Sequence, residues 1–241
     1  AGFIAQLCAE VGEEIVISDL DQLRAYESDA LAAYACPPMA VLLPRTTEEV
    51  AAIMRLCNAH RVPVVPRGAG TSLAGGALPT ADCVVIGTMR LNRILEVDLD
   101  DRFVRVQAGI TNLAVTAAIE DEGFFYAPDP SSQLACTIAG NIAMNSGGAH
   151  CLKYGVTTNN VLGVKLVLAN GEVVEIGGPE LATDSLDLLS LICGSEGQLG
   201  IVTEATLRII PKPENARPIL IAFNTAEQAA NCVGEIIGSG L

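Results

Sequence analysis

Residues 64–76 read V-V-P-R-G-A-G-T-S-L-A-G-G, a composition suited to holding an anion with the main chain. Gly68 and Gly70 lack a Cβ and can take positive φ, so successive N–H groups can turn inward on a phosphate. The hydroxyls of Thr71 and Ser72 add donors. A nucleotide diphosphate is therefore the first ligand to consider, and a Cβ on Gly70 is expected to fill the space it needs. Two phosphate loops of defined spacing do not fit. The P-loop requires a lysine to reach the terminal phosphates, and this loop has none. The dinucleotide fingerprint requires a third glycine three residues after the second, where Leu73 stands. The following residues, 74–79, are too rich in glycine and proline to open a helix. A Gly-x-Gly after a strand also serves an ordinary turn, so the rest of the chain must decide.

Four further stretches combine glycine with polar side chains. Residues 127–133, A-P-D-P-S-S-Q, are rigid and hydroxyl-rich, which suits a ligand contact or a plain turn. Residues 135–141, A-C-T-I-A-G-N, put Gly140 and Asn141 where backbone could approach a flat group, or simply start a helix. Residues 145–155, N-S-G-G-A-H-C-L-K-Y-G, set two glycines before His150, Lys153 and Tyr154. Residues 194–202, G-S-E-G-Q-L-G-I-V, carry three glycines in seven residues and lead into a strand, so that their backbone could lie against a ring. Each stretch has a structural explanation by itself. Five in one chain exceed what connectors need.

The elements that would position these loops follow from periodicity. Residues 3–16 and 20–34 have mixed helical patterns, ended by Pro37-Pro38. Strands are expected at 41–43, 62–66 and 84–87. Between the first two, a helix starts at Thr46, with Glu49 three residues on and Val50, Ile53, Met54 and Cys57 on one stripe. That strand-helix-strand unit feeds the glycine loop as a right-handed crossover would. Residues 94–99 and 103–107 alternate as a hairpin. Thr111 is expected to cap a helix running to Glu122 and stopped by Gly123. Asn170-Gly171 marks a second hairpin, residues 185–192 a short helix, and residues 200–210 a long strand. Beyond Pro213, residues 219–223 read as a strand and Thr225 caps a helix. Strand-helix-strand first and hairpins later predict an α+β fold with mixed sheets.

Composition narrows the partners. Half of the 241 residues are hydrophobic, 17% are charged and the formal net charge is −14. Such a charge repels nucleic acid and anionic lipid. No apolar run reaches the roughly 18 residues of a membrane span, which predicts a soluble chain without a transmembrane segment. The eight cysteines form no C-x-x-C pair and fit a reduced, cytoplasmic setting. With only two histidines, His60 and His150, no zinc site is visible. The chain starts with Ala1, without a basic or signal-like segment, so a missing natural N-terminus is expected.

Taken in order, P-R-G-A-G-T-S-L-A-G-G (66–76), Y-A-P-D-P-S-S-Q (126–133), G-N (140–141), N-S-G-G-A-H-C-L-K-Y-G (145–155) and G-S-E-G-Q-L-G-I-V-T-E (194–204) resemble the PCMH-type FAD-binding domain of vanillyl-alcohol-oxidase type flavoproteins. Within them the chain is similar to the FAD-linked 2-hydroxyacid dehydrogenases. H-C-L-K-Y-G together with D-S-L-D-L-L-S-L (184–191) favours the glycolate oxidase branch over D-lactate dehydrogenases.

The resemblance implies a two-subdomain fold: a lead-in over 1–40, an FAD-binding domain over 41–213 with subdomains of about 41–108 and 109–213, and the first strand and helix of an incomplete cap domain over 214–241. It implies FAD held noncovalently. Pro66, Arg67, Gly68, Ala69, Gly70, Thr71 and Ser72 would hold the diphosphate. Pro130, Ser131, Thr137, Gly140 and Asn141 would line the diphosphate and ribityl chain. Gly147, Gly148, Tyr154 and Gly155 would pass near the flavin, and Glu196, Gly197, Ile201 and Val202 would frame the adenine or ribityl side. Relatives that tether the flavin do so from a histidine in the first loop, which this loop lacks. His150 remains the candidate for a tether or for catalysis, while His60 reads as a surface or capping residue. Catalytic histidines are expected beyond Leu241, so this chain would be inactive alone. The implied activity is oxidation of glycolate or a similar 2-hydroxy acid, with electrons passing to an iron-sulfur subunit and the quinone pool. Partner subunits would place the chain peripherally at the inner membrane. A D-lactate or D-2-hydroxyglutarate dehydrogenase and a nonenzymatic nucleotide-binding module are the alternatives.

Overall fold

The computed structural model describes residues 2–179 and 186–240. Two layers, each built on its own sheet, meet along the glycine loop. The first sheet orders its strands β1-β2-β4-β3, with β1 at Val16–Ile17, β2 at Ala40–Leu42, β3 at Val64–Arg67 and β4 at Val84–Gly87. β4 lies between β2 and β3 and runs parallel to both, while β1 is antiparallel to β2. α1 (Phe3–Val11) and α3 (Thr47–His60) cover one face and bury Leu7, Val50, Ile53 and Cys57 on Leu42, Val84 and Ile86. The other face packs Val41, Leu43 and Val85 against Leu23 of α2 (Leu20–Leu23). A sheet buried on both sides explains why β2 and β4 are unbroken apolar runs.

The second sheet is antiparallel and five-stranded, ordered β5-β6-β10-β8-β9, with β5 at Ile94–Asp98, β6 at Phe103–Gln107, β8 at Val161–Val167, β9 at Val173–Gly177 and β10 at Ile201–Arg208. Its inner face buries Val104, Val106, Val164, Leu166, Ala205 and Leu207. Against them lie α4 (Asn112–Ala117), α5 (Ile138–Met144) and α7 (Leu188–Ile192). A short ribbon pairs β7 (Phe124–Phe125) with β11 (Ile210–Pro211). α6 (Cys151–Tyr154) and α8 (Ala226–Gly238) complete the described elements. Between the layers, Thr47 Oγ1 donates to Thr203 Oγ1 at 2.9 Å, and Gln107 Nε2 donates to the Arg45 carbonyl at 3.3 Å.

Several expected boundaries move, each for a local reason. The hairpin expected to close the first subdomain at 108 belongs to the second sheet, because β6 pairs with β10 and turns Val104 and Val106 into the larger core. The layers therefore divide between Gly87 and Ile94. The lead-in is not a separate piece: α1 and β1 build the first layer. α1 stops at Val11, since Gly12 takes φ +95°. The second lead-in helix shrinks to α2 and a 3-10 turn, because the residues after it fold against the glycine loop. Thr46 caps α3 as expected, accepting from Glu49 N at 3.2 Å. Thr111 makes no such bond and bridges Thr137 instead, and the helix after it runs only to Ala117 before a 3-10 turn ending at Gly123 (φ +79°). The hairpin at Asn170-Gly171 forms, with Gly171 at φ +80°. The helix expected from Ser185 is seen from Leu188, capped by Asp187; Asp184 and Ser185 lie outside the described residues. Residues 219–223 form no strand: Ile219 is 82% and Leu220 100% exposed, and a lone strand finds no edge to pair with among the described residues. Thr225 does cap α8, whose apolar residues Val233, Ile236 and Ile237 are exposed.

Candidate functional site

The glycine loop leaves β3 at Arg67, whose carbonyl accepts from Thr88 N at 2.9 Å and fixes where the loop begins. Gly70 (φ +71°) and Gly75 (φ +79°) then turn the chain. Among the described residues, the N–H groups of residues 68–72 find no acceptor in the protein. Donors with no partner in the protein are open to an acceptor from a ligand or from solvent. Residues 68–72 line a cavity of about 270 Å³, closed on the other side by Thr137, Gly140, Asn141, Met144, Ser146 and Glu196.

Across this cavity the loop and α5 come into contact. A Cβ on Gly68 would strike the Thr137 hydroxyl and lie 3.5 Å from Gly140 N. Thr137 is itself committed, because its hydroxyl caps α5 by accepting from Gly140 N at 3.2 Å. Below them is a buried polar network. Asn141 Oδ1 accepts from Asn112 Nδ2 at 2.9 Å, Asn112 Nδ2 also donates to the Pro128 carbonyl at 3.1 Å, and Gln133 Nε2 donates to Asn112 Oδ1 at 3.0 Å. The network fixes the floor through residues far apart in sequence. Near it the Tyr126 hydroxyl is fully buried, with no well-formed hydrogen bond among the described residues, and burial pushes its phenol pKa up against a smaller opposing effect of Thr157.

A second hollow, of about 400 Å³, lies beneath β3 and the end of α3, lined by Cys57, Arg61, Val64, Gly197 and Ile201 among others. A narrow passage of about 50 Å³ passes Arg67, Gly68, Gly140 and Val202. Pro66, Glu196 and Gly197 wall both this passage and the second hollow, and Pro66 and Glu196 also wall the first cavity. The three make one elongated trench between the layers. Residues 194–197 are pinned to α5 by Gly194 N on the Ile142 carbonyl (2.8 Å) and Glu196 N on the Ala143 carbonyl (2.9 Å). Gly197 (φ +76°) lies so close to Pro66 that a Cβ would sit 2.7 Å from the ring.

The twenty residues singled out from sequence fall into those that line the trench and those that do not. Pro66, Gly68, Ala69, Gly70, Thr71, Ser72, Thr137, Gly140, Asn141 and Glu196 line the first cavity, and Gly197, Ile201 and Val202 its continuation. The Arg67 guanidinium points behind the loop, where Nη1 donates to the Ser28 carbonyl at 2.7 Å and the group lies 5.7 Å from the Tyr26 ring. Burial lowers its pKa, opposed by Asp29 and Tyr26. A Cβ on Gly70 would meet this guanidinium rather than the cavity. Pro130, Ser131, Gly147, Gly148, Tyr154 and Gly155 line none of the three spaces. A Cβ on Gly148 would collide with Asp129 and one on Gly155 with Asn159, while Tyr154 packs edge-on to Phe125 at 5.7 Å.

His150 Nδ1 lies 2.6 Å from Asp129 Oδ2, with the imidazole 69% exposed and outside the trench. His60 packs against Phe3 at 5.3 Å. Sequence reasoning missed Leu73, Ser132, Cys136, Met144 and Ser146, all on the cavity wall. Met144 and Ser146 flank Asn145, whose φ of +48° ends α5; a non-glycine reversal of this kind leaves little mark in sequence. Among the described residues no group of histidine, cysteine and carboxylate side chains could hold a metal, and no helix is long and apolar enough to cross a membrane.

The residues fit an elongated dinucleotide: the glycine loop lines the first cavity, suited to its diphosphate, and the passage beside Gly68 leads on to a second hollow with room for a ring. A family model described as "FAD binding domain" matches residues 38–177. The glycolate oxidase subunit GlcD of Escherichia coli (strain K12) is 46% identical over 230 residues, 95% of this chain and 46% of that protein. A D-lactate dehydrogenase of Anaerostipes hadrus is 38% identical over 88% of the chain and 44% of its own length. The chain thus spans about half the length of the curated relatives it matches. A solved structure of alkyldihydroxyacetonephosphate synthase superposes with a TM-score of 0.83 at 23% identity, over 99% of this chain and 45% of that one, so the two-layer α+β fold is shared. With more than half of its residues matched by that family model, the chain belongs to the FAD binding domain family.

Proposed function

We propose that this chain holds FAD noncovalently as the cofactor half of a 2-hydroxy-acid oxidoreductase acting on glycolate. The observation that carries the reading is the glycine loop over residues 68–72, which lines the cavity between the layers and whose N–H groups find no acceptor among the described residues. Residues 68–72 would bind the diphosphate, with Gly68 and Gly140 allowing the two walls to close on it. Glu196, an acceptor only when ionised, suits hydroxyl groups of a ribose or ribityl chain better than phosphate. Bound FAD would supply the two-electron chemistry, taking hydride from the α-carbon of the hydroxy acid. Identity to a glycolate oxidase subunit supports glycolate, and electron delivery to an iron-sulfur subunit and quinone, peripheral at the inner membrane, follows the same reading. The D-lactate dehydrogenase relative favours a second substrate class on the same cofactor site.

Two measurements test this. The apoprotein given FAD and desalted should keep an absorbance band near ~450 nm, released by acid precipitation because no bond tethers it. A colourless protein after reconstitution refutes the cofactor reading. A panel of glycolate, D-lactate and D-2-hydroxyglutarate with an artificial acceptor, run on the chain assembled with its partner subunits, decides the substrate.

A further inference from the structure

A loop with Gly68, Gly70, Gly75 and Gly76 loses much chain entropy when it is ordered. Its own strand holds only one end. The rest is held from behind by residues 26–31. Ala30 N donates to the Ser72 carbonyl at 3.1 Å. Gly75 N donates to Asp29 Oδ2 at 3.0 Å, while Asp29 Oδ1 accepts from Leu31 N at 2.8 Å. Arg67 Nη1 ties the loop's start to the Ser28 carbonyl, and the guanidinium lies directly beneath Gly70. Asp29 is 6% and Arg67 8% exposed, so both charges are committed in a nearly dry space and neither reaches the cavity.

Accepting the FAD reading, we propose that Asp29 is a positioning residue for the cofactor diphosphate. It acts through the Gly75 N–H and the Arg67 guanidinium to hold residues 68–72 with their N–H groups aimed into the trench before any ligand arrives. The carboxylate has two jobs that a neutral side chain cannot combine: it accepts two main-chain N–H groups, and its charge acts through space, without a direct ion pair, to offset the burial of the Arg67 guanidinium. An asparagine accepts at one oxygen only.

The test is FAD titration of the apoprotein by quenching of flavin fluorescence, with ADP as a competitor that shares the adenosine diphosphate half but lacks the flavin, together with amide hydrogen exchange of residues 68–76. Asp29→Asn should weaken FAD and ADP alike by about tenfold. It should also speed exchange in the loop while β4 and β10 stay protected. Because the change removes an anion from behind the phosphate site, a purely electrostatic role predicts tighter binding; unchanged or tighter binding overturns the proposal. So does weaker binding with exchange raised throughout the first sheet, which marks general loss of structure. Should Asp29→Asn not fold, Tyr26→Leu frees one side of the guanidinium and should weaken FAD by about threefold with the same confined exchange; no effect overturns the proposal. A wild-type chain that takes up no FAD overturns the flavin reading itself, and this inference with it.

Discussion

Gly68→Ala isolates the contact on which cofactor binding depends. Gly68 has no positive φ, so alanine carries no backbone strain and its whole effect is steric. The new methyl would meet the Thr137 hydroxyl and lie 3.5 Å from Gly140 N. The free loop can escape by moving off α5, but a loop that has moved no longer converges with Gly140 on one ligand, so the cost falls on the bound state. Overpacking of one methyl costs about 1–3 kcal/mol, and 2 kcal/mol corresponds to roughly 30-fold weaker FAD binding. Thr137→Ala removes the obstructing oxygen together with the α5 cap at Gly140 N, and costs about 1 kcal/mol of stability. In the double variant the methyl no longer meets a hydroxyl, so FAD affinity should return to within about fivefold of that of Thr137→Ala alone. Fluorescence titration of the four proteins closes the cycle. Independent losses, or a Gly68→Ala protein that binds like wild type, would refute the idea that loop and helix form one clamp.

Two other outcomes follow from the same geometry. Gly70→Ala puts a side chain at φ +71° against the Arg67 guanidinium, and should cost about 1–2 kcal/mol in urea unfolding of the apoprotein; a loss of FAD affinity without loss of stability would mean that the added methyl acts on the cavity side. Burial pushes the Cys57 thiol from its ordinary 9.0 up to about 11, and moves Cys83 and Cys193 upward as well. The unfolded thiols ionise first, so the stability they contribute is complete below about pH 9 and declines as pH rises toward 11. Cys57→Val should flatten that decline in urea midpoints taken across the range, and an identical slope in both proteins would contradict it.

Local signals were the legible ones. Thr46 with Glu49, Asn170-Gly171 and Gly123 each act within a few residues, and each does what its type predicts. What the sequence hid was set at a distance. Arg67 turns away from the cavity because Tyr26, Ser28 and Asp29 occupy the space behind the loop, some 39 residues earlier in the chain. His150 is held by Asp129, 21 residues before it, and so leaves the trench. A glycine signals only that a Cβ is unwelcome; it does not say what excludes it. At 68 the excluding group is the facing wall of the cavity. At 70, 148 and 155 it is Arg67, Asp129 and Asn159, and motif reading alone cannot separate the two cases.

The charge on the trench wall leads to a final expectation about substrate. Among the described residues lining the first cavity, the only charged side chain is Glu196, a carboxylate, and the nearest buried cation, Arg67, is spent behind the loop. A 2-hydroxy acid at neutral pH brings a carboxylate of its own, which a site of this kind repels and no lining donor of opposite charge offsets. Groups that recognise the acid would therefore lie outside the first cavity's described lining. With FAD bound, the chain should show no shift of the flavin spectrum and no anaerobic bleaching on addition of millimolar glycolate or D-lactate. Bleaching by either acid would mean that the described residues already contain a substrate site, and would shift the chemistry to groups now assigned to structure, His150 and Asp129 first among them.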